Sequence, residues 1–189
     1  VMFGIPEDSN WTWNVSWWSD PVILGAYPEE GLRRFYHELP KITKEDLKLI
    51  SEPIDMYGQN IYNGWEVKMG EDGNPVTVPR YVGFPRTATN WPITPECLYW
   101  GPKFLYERYH KPIYITENGI ACNDVISLDG AVHDSVRIDF EERYLSQLQR
   151  AIRDGVDVRG YFYWSLMDNF EWSEGYTQRF GLVYVDYRT

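Results

Sequence analysis

The 189-residue sequence predicts an α/β protein built on a parallel β-sheet. Segments with helical and strand-like patterns alternate along the chain in the order helix, strand, helix, strand, helix, strand. The second predicted strand is a short apolar run, PIYIT, of the kind that is buried on both faces in parallel sheets. Such an alternation predicts parallel strands joined by right-handed crossover connections.

Four segments carry the start and stop signals of helices: residues 28–39, 43–49, 94–109 and 134–155. Thr43, Thr94 and Asp134 are the predicted caps of the last three helices, and Pro95 suits a first helical position. Gly155 predicts the end of the last helix. That helix has a predicted apolar stripe made of Phe140, Tyr144, Leu148, Ala151 and Ile152.

Three segments predict strands: residues 55–62, 112–116 and 158–166. Residues 71–74 predict a hairpin turn between Val67 and Val76. Polar residues cluster where the predicted strands end, namely Asn60, Tyr62, Glu117, Asn118, Trp164, Ser165 and Asp168. Chemistry in parallel sheets is expected at the carboxyl ends of the strands, so these residues predict a functional site.

Charge and composition exclude some classes of function. The net charge of −10 argues against nucleic acid as a partner, because phosphates need clustered Lys and Arg. No run of 18 apolar residues predicts a membrane span, and the absence of a signal sequence favours a cytoplasmic location. Two Cys and three His lack metal-binding spacing, so no metal site is predicted. No cofactor is expected either.

Aromatic residues make up 17% of the chain, with 9 Trp and 15 Tyr. Residues 164–176 interleave carboxylates with aromatic rings, in a segment too polar for a core strand and too aromatic for a solvated loop. Carboxylates can accept the hydroxyl protons of a sugar while indoles cover its ring face. Structural packing of these rings in a large core is the alternative.

Glu117 leaves a predicted buried strand, so its carboxylate must either reach a pocket or be solvated in the loop. Gly119 is predicted to permit a tight turn there. Asn118 can hydrogen-bond either the loop backbone or a ligand.

Two long motifs, YITENG at residues 114–119 and WSLMDNFEWSEGYTQRFGLVYVDY at residues 164–187, strongly resemble glycoside hydrolase family 1, the β-glucosidase and β-galactosidase group. Residues 20–29, 132–138 and 155–160 fit the same family. The resemblance implies a (β/α)₈ barrel of which this chain carries about strands six to eight. Residues 1–189 are then expected to be the C-terminal portion of one barrel domain, incomplete as a barrel alone, with the N-terminal portion and last helix outside the chain.

The resemblance also implies roles for individual residues. Glu117 resembles the catalytic nucleophile and Tyr62 the phenol that orients it. The other implied site residues contact the sugar: Asn60, Trp91, Trp164, Glu171, Trp172 and Phe180. In this interpretation Trp164 forms the floor of the sugar subsite and Trp91 flanks the leaving group.

The implied activity is that of a retaining β-glycosidase acting on non-phosphorylated β-glucosides or β-galactosides through a covalent glycosyl-enzyme on Glu117. Glu171 supports a neutral sugar, because a carboxylate in this place would repel a phosphate. The family's acid/base Glu lies in an Asn-Glu-Pro motif that these 189 residues lack. It is therefore expected in a complementary N-terminal segment or chain.

Other hypotheses about the function are consistent with the same sequence. A non-catalytic sugar-binding protein, or an inactive segment without the acid/base half, fits the same residues. An interaction module that uses the aromatic segment on protein partners is a third reading. The sequence leaves open the choice between glucose and galactose, the aglycone, and O- or S-glycosides.

Overall fold

The structure is a computed structural model that describes residues 14–73 and 75–188. In chain order its elements are α1 (Val15–Leu24), α2 (Glu29–Arg34), α3 (Lys44–Ile50), β1 (Tyr57–Asn60), β2 (Val67–Met69), β3 (Pro75–Thr77), α4 (Cys97–Tyr109), β4 (Ile113–Asn118), α5 (Ser135–Arg153) and β5 (Val158–Tyr163). A 3₁₀ turn at Trp172–Glu174 follows β5. Two compact units form: the described parts of Val1–Asp55 with Val67–Thr77, and of Met56–Glu66 with Val78–Thr189.

The first unit contains three helices and a hairpin. Helix α1 was not predicted, because Pro21 lies inside it and its sequence is rich in Trp and Ser. Its cap is the Asn14 side chain, which accepts a hydrogen bond of 3.0 Å from the Ser16 amide. Helix α3 has the predicted Thr43 cap, closed into a capping box with Asp46.

The predicted hairpin is confirmed. Strands β2 and β3 pair antiparallel, with Val67 opposite Thr77 and Lys68 opposite Val76. Asn74, in the predicted turn, lies outside the described residues.

The second unit contains a three-stranded sheet in the order β1-β4-β5. Both strand pairs are parallel, which confirms the predicted sheet. Ile113 and Ile115 of the central strand β4 are fully buried, as the apolar run predicted. The carboxyl ends of all three strands therefore lie at one edge.

Helices α4 and α5 also belong to the second unit and pack on each other. Helix α4 begins at Cys97, later than predicted, and the Thr94 hydroxyl accepts a hydrogen bond from the Gly64 amide at 2.9 Å. On α5 the predicted apolar stripe is buried except for Ile152, which is 47% exposed. Arg137, which the apolar pattern could not reveal, is buried on the same helix.

No helix in residues 14–73 and 75–188 is both long enough and apolar enough to cross a membrane.

Candidate functional site

The carboxylate of Glu117 and the phenol of Tyr62 meet at the carboxyl edge of the sheet. Glu117 lies near the end of β4, and Tyr62 lies two residues beyond β1. The Tyr62 hydroxyl donates a hydrogen bond of 2.8 Å to Glu117 Oε2. Strand pairing brings these residues together although 55 positions separate them in the chain.

The phenol keeps its proton in this position. Burial, together with the hydrogen bond to Glu117 and the charge of that carboxylate, raises the pKa of Tyr62 well above its ordinary value. A protonated phenol donates to a carboxylate in a charge-assisted bond. Tyr62 therefore fixes the direction in which one Glu117 oxygen points, and the other oxygen accepts no hydrogen bond from the described residues.

The backbone of β1 continues past the last strand residue and pairs with the end of β4. The Ile61 amide donates to the Glu117 carbonyl at 2.9 Å. The Ile61 carbonyl accepts from the side chain of Asn118 at 2.8 Å. Asn60 lies opposite Glu117 in the register, and its side chain accepts a hydrogen bond of 2.7 Å from Thr116.

Two predicted site residues pack around Tyr62. The ring centroids of Trp91 and Phe180 lie 5.2 Å and 6.3 Å from that of Tyr62. Trp91 is 36% exposed, so a ligand can reach it. Phe180 is only 2% exposed and therefore acts by packing behind the phenol.

Trp164 and Glu171 form a second pair after β5. The Trp164 indole donates to Glu171 Oε2 at 3.3 Å, and the Trp164 amide donates to the Asn118 carbonyl at 2.8 Å. A Cβ on Gly119 would lie 2.1 Å from the Trp164 carbonyl oxygen. Glycine is thus needed for this close approach and not, as predicted, for a tight turn.

Trp172 differs from the other predicted residues. It opens the 3₁₀ turn and is 83% exposed. Its neighbours Phe170 and Tyr176 are also exposed and contact each other at 5.4 Å between ring centroids. These rings lie at the surface, which agrees with the interleaved sequence pattern. They are not packed in the core, which was the alternative.

Asp168 has a structural role that its strand-end position did not reveal. Its fully buried carboxylate accepts from the amides of Gly181 and Val185 at 3.0 Å and 3.1 Å. It also forms an ion pair with Arg179. Asp168 thereby joins both ends of the segment that carries Glu171 and Trp172.

Sequence reasoning also missed a partly buried chain of polar groups that begins at Asn118, the residue after Glu117. The Tyr161 hydroxyl lies 2.9 Å from Asn118 Oδ1 and 3.1 Å from Glu141 Oε2. Burial raises the pKa of Glu141 to about 7, against the opposing effects of the Tyr161 hydroxyl and the Arg137 charge. An acid inside a helical pattern gives no signal of such a contact, because acids usually occupy the solvated face.

The described residues contain no group of three or more His, Cys, Asp and Glu side chains that could hold a metal ion. Cys97 and Cys122 are both free thiols.

Known proteins match both the sequence and the fold. The sequence pattern that defines the family "Glycosyl hydrolase family 1" matches residues 6–189. "Beta-glucosidase A" of Thermotoga maritima is 47% identical over 176 residues, which are 90% of this chain and 38% of that protein. "Beta-glucosidase" of Agrobacterium sp. is 42% identical over 177 residues, again 90% of this chain and 38% of the relative.

Solved structures of β-glucosidases also resemble this chain. The Thermotoga maritima β-glucosidase in complex with castanospermine superposes with a TM-score of 0.81 at 46% identity, covering 93% of this chain and 40% of that one. The chain thus spans about 40% of the length of its relatives. Its open α/β sheet has the architecture of the C-terminal part of a (β/α)₈ barrel. The chain belongs to glycosyl hydrolase family 1.

Proposed function

We propose that this chain contributes the nucleophile half of a retaining β-glycosidase that hydrolyses non-phosphorylated β-glucosides or β-galactosides. The observation that carries the proposal is the 2.8 Å bond from Tyr62 to Glu117 at the sheet edge. A carboxylate that is held on one oxygen and free on the other suits attack on an anomeric carbon. The names of the relatives, which are β-glucosidases, support the same activity.

In the proposed reaction Glu117 attacks the anomeric carbon, and the bond from this carbon to the leaving oxygen breaks. A second carboxyl, outside this chain, gives that oxygen a proton. Water then attacks the glycosyl-enzyme, losing a proton to the second carboxylate, and releases the sugar and Glu117. Retention requires the two carboxyl groups to lie about 5 Å apart.

The proposed sugar subsite is the region after β5. Trp164 would lie under the ring, while Glu171 and Trp172 would contact the outer hydroxyls. Trp91 would flank the leaving group, with Asn60 beside the nucleophile. Phe180 would close the subsite indirectly, by supporting Tyr62. Glu171 would repel a 6-phosphate by several kcal/mol at about 4 Å, which favours a neutral sugar.

The test uses a chimera in which this chain replaces the matching region of Thermotoga maritima Beta-glucosidase A, called the Thermotoga chimera below. The parent chimera should hydrolyse aryl β-glucosides with retention. Glu117→Ala should lower kcat by at least about 10³-fold. Azide should restore cleavage of activated aryl glucosides and give the glycosyl azide of inverted configuration.

The matched control is Glu174→Ala, which removes an exposed carboxylate from the same edge region. It should leave kcat within about twofold of the parent. Full activity in Glu117→Ala would remove Glu117 from the mechanism. If the parent chimera binds sugar but does not hydrolyse glucosides, the hypothesis of a non-catalytic sugar-binding protein is favoured instead.

A further inference from the structure

The partly buried polar groups that begin at Asn118 form a chain of hydrogen bonds, and the donor in each bond can be assigned by counting protons. The chain runs from Glu141 on α5, through Tyr161 on β5 and Asn118 on β4, to the Ile61 carbonyl beyond β1. Asn118 is fully buried, and Glu141 is partly buried. Each polar group in such a place needs a partner of the right kind.

The assignment starts at Ile61. A carbonyl oxygen can only accept, so the group that faces it at 2.8 Å must be the NH₂ of the Asn118 amide. The amide oxygen of Asn118 therefore faces Tyr161 at 2.9 Å. That oxygen can only accept, so the single hydroxyl proton of Tyr161 is directed to Asn118.

This leaves the Tyr161 oxygen as an acceptor toward Glu141. The two carboxyl oxygens of Glu141 lie 3.1 Å and 3.3 Å from it. An ionised carboxylate is also only an acceptor and would compete with Asn118 for the one hydroxyl proton. A protonated Glu141 donates to Tyr161 instead, so that each of the three contacts in the chain then pairs one donor with one acceptor.

The charges around Glu141 agree with this state. The cation that acts on it is Arg137, one turn earlier on α5, and Arg137 already forms ion pairs with Asp124 at 2.8 Å and with Asp134. The facing groups on β5 are the phenols of Tyr161 and Tyr163, both of which keep their protons because burial raises their pKa. Burial places the pKa of Glu141 at about 7.

We propose that Glu141 is a positioning residue that carries a proton in the active enzyme and, through Tyr161, holds Asn118 and the end of β4 so that Glu117 is correctly aimed. Loss of that proton turns the Tyr161 hydroxyl toward Glu141. Asn118 then loses one of its two side-chain bonds, and the pairing of Glu117 with Ile61 loosens. Glu141 thus makes turnover sensitive to pH without touching the sugar, an inference that rests on the proposed glycosidase function.

The first experiment reads the proton directly and needs no turnover. The infrared spectrum of the Thermotoga chimera at pH 6 should contain the carbonyl band of a buried protonated carboxylic acid. The band should be missing in Glu141→Gln and retained in Glu142→Gln, which changes the exposed neighbouring acid. A spectrum in which Glu141→Gln removes no such band would overturn the proposal, even if the chimera is active.

The second experiment reads the effect on catalysis. Gln mimics the protonated acid, because its NH₂ can donate to Tyr161 at every pH. The ratio of kcat in Glu141→Gln to kcat in the parent should be near one at pH 5.5 and rise to about threefold or more at pH 8. A purely structural role gives a ratio that does not change with pH, and that result would overturn the proposal.

Tyr161→Phe provides the internal check, since it breaks the chain between Glu141 and Asn118. It should lower kcat several-fold. In its background Glu141→Gln should no longer change the pH profile. A pH-dependent ratio that persists without the Tyr161 hydroxyl would show that Glu141 does not act through this chain.

Discussion

The end of β4 and the segment after β5 both carry residues of the candidate site, but they are built differently. At the end of β4, Glu117 and Asn118 bond to residues just beyond β1 and to Tyr161 on β5, and Asn118 is fully buried. In the segment after β5, the rings of Phe170 and Trp172 are exposed. The first region fixes one carboxylate in one direction. The second region offers exposed aromatic ring faces and carboxylates that can accept hydrogen bonds from hydroxyl groups.

This difference suits two separate tasks. A nucleophile must be held within a few tenths of an ångström, which requires bonds from several elements. A binding surface needs contact area and tolerates adjustment. Substitutions in the first region should therefore change kcat, and those in the second should change KM.

Apart from the loss of Glu117 itself, the largest effect is expected for the buried carboxylate that anchors the exposed segment. Asp168→Asn places an NH₂ group against a backbone amide and leaves Arg179 without its counter-ion. We expect a loss of about 3 kcal/mol in the free energy of unfolding of the Thermotoga chimera, measured by denaturant titration. Asp139→Asn, which breaks the exposed pair with Arg143, is the control and should cost less than about 1 kcal/mol. Equal stability of the two variants would show that Asp168 is not the anchor.

Removing the phenol hydroxyl at the end of β4 is expected to have the next largest effect. Tyr62→Phe deletes a charge-assisted bond to Glu117, and kcat should fall about 30-fold, corresponding to about 2 kcal/mol. Tyr176→Phe removes a hydroxyl from the exposed segment and should change kcat less than about twofold. Equal losses of kcat in the two variants would contradict the claim that the end of β4 controls kcat and the segment after β5 controls KM.

Glu171→Gln tests the binding region. It keeps an acceptor for the Trp164 indole but removes the charge that we propose accepts sugar hydroxyl protons. KM for aryl β-glucosides should rise about tenfold, corresponding to about 1.4 kcal/mol, with a smaller change in kcat. The preference for neutral over 6-phosphorylated glucosides should decrease in the same variant. A change confined to kcat would instead place Glu171 with the catalytic group.

The smallest expected effect is a dependence of stability on pH. The pKa of Glu141 rises from an ordinary 4.5 to about 7 on folding, so the folded state holds the proton more tightly. The stabilisation is complete below about pH 4.5 and is lost as the pH rises toward 7. Between pH 5 and pH 7.5 the free energy of unfolding should fall on the order of 1 kcal/mol further in the parent chimera than in Glu141→Gln. This value allows for the partial exposure of the Glu141 side chain. Parallel stability curves for the two proteins would contradict this.

The sequence predicted the parallel sheet because its signals were local: apolar runs, caps and turn residues. The pairing of Glu117 with Tyr62 was expected from the family motifs, and the strand register explains how it arises. Helix α1 was missed because Pro21 normally interrupts a helix. The functions of Glu141 and Asp168 depend on contacts with distant residues, Tyr161 and Arg179 among them, which no local pattern encodes.

The buried amide of Asn118 has a practical consequence for redesign. Because its side chain bonds to Ile61 on one side and to Tyr161 on the other, one amide links all three strand ends. If the proposed roles hold, libraries that vary residues 170–176 should change sugar preference and leave the orientation of Glu117 unchanged. Libraries that touch positions 61, 118 or 161 alter all three strand ends together.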